Sequence, residues 1–224
     1  MKMWERLFNI FESKKEKHPK FIIKGVPYFS QWESPNLVHQ IIKGEISAKD
    51  DSFWKNSGAT NEDEYERWAR NMCGMACLKM ILSHKFNKNF PIIELGKKCA
   101  NYGGYVERES AIDGLYYKPF VKFIKDEFGL EGKVIAPLDQ DGIRKELDYG
   151  NYVIASVSHE IRNPESKPIK KGGHLVLVLG FDMEKKIFLI HNPSGDTDGN
   201  QKYSEISFSD FSKFFAGRGI TING

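Results

Sequence analysis

The hydrophobic pattern changes period partway along the chain. Before residue 150 the apolar positions recur every three or four residues. Met72-Cys73-Gly74-Met75-Ala76-Cys77-Leu78-Lys79-Met80-Ile81-Leu82 predicts an apolar helix ending near His84, and 92–100 predicts a second. Phe120, Val121, Phe123, Ile124 and Phe128 predict an amphipathic helix over 117–128, stopped by Gly129. A short helix over 141–149 is followed by Gly150. From there the runs are β-like: 152–157, 173–181 and 186–191. A short helix over 209–215 and an edge strand over 219–222 close the chain. Helices first and strands afterwards predict an α+β fold, with the helical part packed on a C-terminal antiparallel sheet.

The polar stretches mark the other divisions. Residues 21–29 look extended, and 32–70 is polar, charge-rich and punctuated by Trp32, Trp54 and Trp68. It reads as an insertion into a single domain spanning 21–224. A loop of that length without structure of its own is unusual, so it is expected either to hold short helices, one of them over 61–68, or to carry function. Residues 1–20 read as an amphipathic or mobile segment, with Trp4, Leu7, Phe8 and Phe11 at helical spacing. Packing on its own domain is the ordinary use of such a stripe, and contact of residues 1–12 with a membrane surface is the other.

Composition narrows the function classes. The chain has 224 residues, 40% hydrophobic and 28% charged, as in a soluble globular protein. A net charge of +3 gives no case for nucleic acid as a partner. No run approaches the roughly 18 apolar residues of a membrane span, and the N-terminus lacks a signal-peptide pattern. Three cysteines give no disulfide framework, which fits a cytoplasmic location with reduced thiols.

Reduced thiols draw attention to Cys73, which the pattern places in the first turn of its helix. Unpaired N–H groups and the positive end of the helix dipole favour thiolate there, and thiolate is the nucleophile. Cys77, one turn on, and Cys99 read as core residues. Cys-x3-Cys within a helix is poor zinc spacing, so no metal and no cofactor is expected.

A histidine and an amide come from the predicted hairpin. His174 opens one apolar strand, and Asn192 closes the next in Ile187-Phe188-Leu189-Ile190-His191-Asn192-Pro193. A tight turn centred on Met183 and Glu184 sets the two opposite each other within about one residue. Their Cβ atoms then lie about 5 Å apart. A carboxamide there accepts the imidazole N–H and fixes the tautomer that faces a nucleophile. His191 has the opposite strand parity and points to the other face. Gln31, in Pro27-Tyr28-Phe29-Ser30-Gln31-Trp32, is the candidate donor to an oxyanion, together with the Cys73 N–H.

The order Gln31, Cys73-Gly74, Gly173-His174, Asn192-Pro193 resembles papain-fold cysteine peptidases. Within them it is most similar to the double-glycine, bacteriocin-leader peptidase-like family, whose opening Val26 to Trp32 also resembles. The resemblance covers roughly 21–222. It departs at Met75, where proline or a small residue is usual, and at Asn192, where aspartate is more frequent. It implies a papain-like fold, Cys73 as nucleophile, His174 as base, Asn192 as orienting residue and Gln31 as oxyanion donor. The expected activity is hydrolysis of an amide bond in a peptide or protein substrate through a thioester. Two other readings stay open: a papain-fold peptide-binding or regulatory module that does not cut, and a transglutaminase-like or other acyl-transfer relative.

Overall fold

The structure is a computed structural model that describes residues 18–109 and 111–224; all but the end of the 1–20 segment lies outside the described residues. Lys20–Ile22 forms a short strand, β1. The polar 32–70 stretch folds as 3-10 turns around the helices Val38–Lys43 (α1) and Glu62–Ala69 (α2). Asn61 caps α2, its Oδ1 accepting the Glu64 N–H. Polarity describes only the outer side of this stretch, because Trp32, Val38, Ile41, Tyr65 and Trp68 are buried in the main core.

The chain continues through Cys73–Phe86 (α3) and Ile92–Asn101 (α4) to a small hairpin of Tyr105–Glu107 (β2) and Ile112–Gly114 (β3). Tyr117–Phe128 (α5) ends at Gly129, which takes the left-handed conformation that the sequence predicts for it. Then follow Gly132–Ile135 (β4), Gln140–Asp148 (α6), Tyr152–Val157 (β5), His174–Asp182 (β6) and Ile187–His191 (β7). Ser204–Ser207 (β8), Phe208–Phe214 (α7) and Phe215–Ile222 (β9) complete the fold.

Among the described residues the main sheet has seven strands, six of them in the order β4-β9-β5-β6-β7-β8 and β1 off this path, all antiparallel. β1 pairs with Gly180 to Asp182 of β6, along the edge that β5 leaves open. The strand expected at the edge over 219–222 is instead the end of β9, which lies inside the sheet between β4 and β5. β4 takes the edge position. Its Gly-Lys-Val-Ile sequence is too short and mixed to show a period.

β6 reads as an unbroken apolar run because both its faces are covered. Leu175, Leu177 and Leu179 meet α3 in the main core, while Val176 and Val178 pack in a second core with Ile143 and Leu147 of α6 and Phe211 and Phe214 of α7. α3 is buried on all sides, from Gly74 to Leu82. No helix of the described residues is long and apolar enough to cross a membrane.

Candidate active site

Cys73 is the first residue of α3, and the N-cap, Met72, offers no side-chain acceptor. The first N–H groups of the helix are therefore left for other partners. Gly74 lets α3 approach its neighbours: a Cβ there would stand 2.7 Å from Leu115 and 3.0 Å from Leu175. This close packing brings the start of α3 against the start of β6. Cys73 and His174 consequently line one cleft of about 580 Å³, walled on the other side by Leu115 and Tyr116.

His174 Nε2 lies 2.8 Å from Asn192 Oδ1 and 3.0 Å from Ser194 Oγ. Asn192 Oδ1 also accepts the Ser194 N–H at 3.2 Å, which fixes the carboxamide with its oxygen toward the ring. An oxygen acceptor at Nε2 places the ring proton there. Nδ1 is left as the basic nitrogen, without a hydrogen bond among the described residues.

The two residues meet diagonally rather than directly across. The turn is two residues longer than expected, since Asp182 pairs with Ile187, and the register shifts between Val178 and Gly180. Asp182 Oδ1 holds the loop by accepting the N–H groups of Glu184 and Lys185. Leu177 then pairs with His191, and the same register carried past the strand end puts Ser194, not Asn192, opposite His174. Diagonal neighbours remain within reach of an imidazole and a carboxamide. The Asn192-Pro193 backbone is anchored from below. Its carbonyls accept from Tyr28 Oη, Ser30 Oγ and Gln31 N at 2.9, 3.0 and 2.9 Å.

Gln31 is brought to the same region but is engaged elsewhere. Its Nε2 donates to the carbonyls of Ala69 and Arg70, at 3.0 and 3.1 Å, where α2 ends. An oxyanion role requires one of its N–H groups to leave these carbonyls, or both carbonyls to share one. Ser194 and Arg162 were not legible as site residues. Arg162 reaches Ser194 Oγ at 3.1 Å and extends the network behind His174. The one local signal was Asn192-Pro193-Ser194, since an asparagine readily bonds the backbone N–H two residues on.

The electrostatics favour a neutral resting pair. Burial pushes the Cys73 thiol up, opposed by the backbone N–H groups of Leu175, Gly74 and Cys73 itself. The helix start thus lowers the cost of thiolate without overcoming burial. Burial also pushes His174 down to about 4, with the Asn192 hydrogen bond opposing and the charges of Arg162 and His159 adding to the fall.

Of the remaining cysteines, Cys77 and Cys99 are buried in the core, and the described residues contain no metal-ligating cluster. His191 is fully buried between the rings of Tyr28 and Tyr203, and among the described residues neither ring nitrogen has a hydrogen-bond partner. Burial holds its pKa down to about 3. Unfolded, it titrates near about 6.5. Acidification from 6.5 toward 3 therefore protonates the unfolded chain first and removes stability. At pH 4.5 His191→Phe is expected to unfold about 2–3 kcal/mol later, relative to its offset from wild type at pH 7. Urea midpoints at the two pH values check this, and equal offsets would refute it.

The model of the Peptidase C39-like family matches residues 23–220. No curated protein matches the chain in sequence. Among solved structures, the chain resembles a protein from Bacillus anthracis described as a C39-like peptidase, at 13% identity and a TM-score of 0.57. That likeness covers 92% of this chain and 98% of the other, and at such identity it speaks for the shared α+β, papain-like fold. With the family model spanning nearly the whole described chain, the protein belongs to the Peptidase C39-like family.

Proposed function

We propose that the protein is a cysteine peptidase in which a single domain over 21–224 hydrolyses an amide bond through Cys73, His174 and Asn192. The observation that carries the reading is the His174–Asn192 hydrogen bond at Nε2. It leaves Nδ1 as the base in the cleft that Cys73 shares. Nδ1 takes the Cys73 proton as sulfur attacks the carbonyl carbon. The tetrahedral intermediate collapses as the C–N bond breaks, and the imidazolium returns the proton to the leaving amine. Water then attacks the thioester with His174 again as base, and the C–S bond breaks. The Cys73 N–H at the uncapped helix start serves as one oxyanion donor. Gln31 serves as the second once it releases a carbonyl. An amine in place of water gives acyl transfer on the same residues, and products formed with and without added amine separate the two.

A non-cutting peptide-binding module is the second reading. It draws on the engaged Gln31 amide and on the absence of a hydrogen bond between Cys73 and His174 among the described residues. Alkylation separates the readings. With iodoacetamide at pH 6, Cys73 is expected to react at least about tenfold faster in wild type than in His174→Ala, because the base is removed while Cys73 stays in the same cleft. Mass spectrometry of the adducts follows the site. Equal Cys73 rates in the two proteins would end the catalytic reading.

A further inference from the structure

The cleft beside Cys73 carries a charge pattern that the chemistry above does not use. Arg218, where the pairing of β9 with β5 shifts register, and Lys118, at the start of α5, both line it, and among the described residues no carboxylate does. Both are exposed, and among the described residues neither has an ion-pair or hydrogen-bond partner. Lys170 adds a third cation at the rim: its Cε would lie 3.8 Å from a Cβ at Gly173, itself a cleft residue. Elsewhere some cations sit close to a carboxylate, as Lys97 does with Glu64 and Lys125 with Glu131, and what sets these three apart is that they gather at one cleft.

Gly172 leaves room for Arg218 beside the cleft. Gly172 adopts φ +91, and a Cβ there would stand 2.9 Å from Arg218 Nη2 and 3.4 Å from Ser156 Oγ. The missing side chain is the space in which the guanidinium lies against the cleft floor. Around it the walls are apolar, from Leu115, Tyr116, Pro119 and Leu175. A pocket of this kind takes a side chain with an apolar stem and an anionic end.

We propose that this subsite selects a carboxylate within a few residues of the scissile bond, so that the substrates are peptides acidic at that position. The proposal rests on the peptidase reading and names the substrate class for it. Net charge is only +3 over the whole chain, so unpaired cations gathered in one cleft concentrate the positive potential where a peptide must lie.

The test uses internally quenched peptides in which each position flanking the cut carries Glu, Gln or Lys in turn. At one position Glu is expected to exceed Gln in kcat/KM by about fivefold, the ratio one solvent-accessible ion pair provides. The preference should shrink on raising salt from 50 mM to 500 mM, values chosen to span roughly a threefold change in Debye length. Arg218→Glu should invert the Glu-to-Lys ratio, and Arg218→Gln should bring it close to one. Ratios cancel any difference in the fraction of active protein. Cleavage with no charge preference, or a preference that Arg218→Glu leaves unmoved, overturns the inference and leaves the peptidase reading standing. Should no peptide be cut, the peptidase reading fails, and the same peptides titrated onto Cys73→Ala by fluorescence anisotropy still decide the charge preference. Equal affinities for the Glu and Lys peptides would then overturn it.

Discussion

His174→Ala is expected to lower kcat by at least about 10³-fold on any peptide the protein cuts, with the urea midpoint shifted far less than that loss implies. The size follows from the resting state. Burial keeps the Cys73 thiol protonated and the His174 ring neutral at pH 7. Little free thiolate is therefore available, and the proposed attack would depend on a base that removes the proton as sulfur moves. His174 has its basic nitrogen free because Asn192 and Ser194 both face the other one. Asn192→Ala should cost less, about 10²-fold, since the ring survives but its tautomer and tilt are no longer fixed. Ser194→Ala should cost less again, because Asn192 Oδ1 still faces Nε2.

The acid limb gives the prediction a second readout. Protonation of His174 removes the base, and its pKa lies at about 4. Wild-type kcat/KM should therefore hold from neutral pH down toward 4 and fall below it, over a range in which the protein is still folded by tryptophan fluorescence. A limb near 6.5 would mean that the ring is solvated in the working state. Turnover within about tenfold of wild type in His174→Ala would remove His174 from the mechanism altogether.

The parts of this site that were legible in the sequence are those fixed by neighbours along the chain. The apolar run from Met72 to Leu82 sets α3, and the hairpin sets which strand ends carry His174 and Asn192. The distance between them was harder to read. It depends on a loop closed by hydrogen bonds to Asp182 and on a register shift near Gly180, and neither shows in any period. The error in register was two residues, and it concealed Ser194. Gln31 shows the same division. Its candidacy came from chain order, but its hydrogen bonds are set by where α2 ends, 38 and 39 residues away. The protonation state lay further out of reach. A helix start argues for thiolate, and only the packed environment shows that burial outweighs it. β4 and β8 went unread because edge strands of four residues with exposed polar positions carry almost no pattern.

Glu33→Ala is expected to destabilise the fold by about 3–5 kcal/mol. Glu33 lies two residues beyond Gln31, and it faces Lys79 of α3 at 3.6 Å with side chains only 11% and 4% exposed. Lys79 Nζ also stands 4.5 Å from the centre of the Phe29 ring. Burial raises the Glu33 carboxyl and lowers the Lys79 ammonium, and in both it is the leading cause, ahead of their mutual attraction. Each charge is tolerated only because the other is there. Removing one leaves the second buried and unpaired, so Lys79→Ala should cost as much as Glu33→Ala. Replacing both by apolar residues of similar length, Glu33→Leu with Lys79→Met, should return most of the stability, because neither desolvated charge remains. Urea denaturation of wild type, Glu33→Leu, Lys79→Met and the double variant makes a double-mutant cycle. Single losses that simply add would show the pair to be uncoupled. The pair also joins the segment of Gln31 to the helix of Cys73, and that segment holds the Asn192-Pro193 carbonyls. The double variant should accordingly keep its fold and lose part of its turnover, because an apolar contact holds α3 and the Gln31 segment together without fixing their registration as an ion pair does.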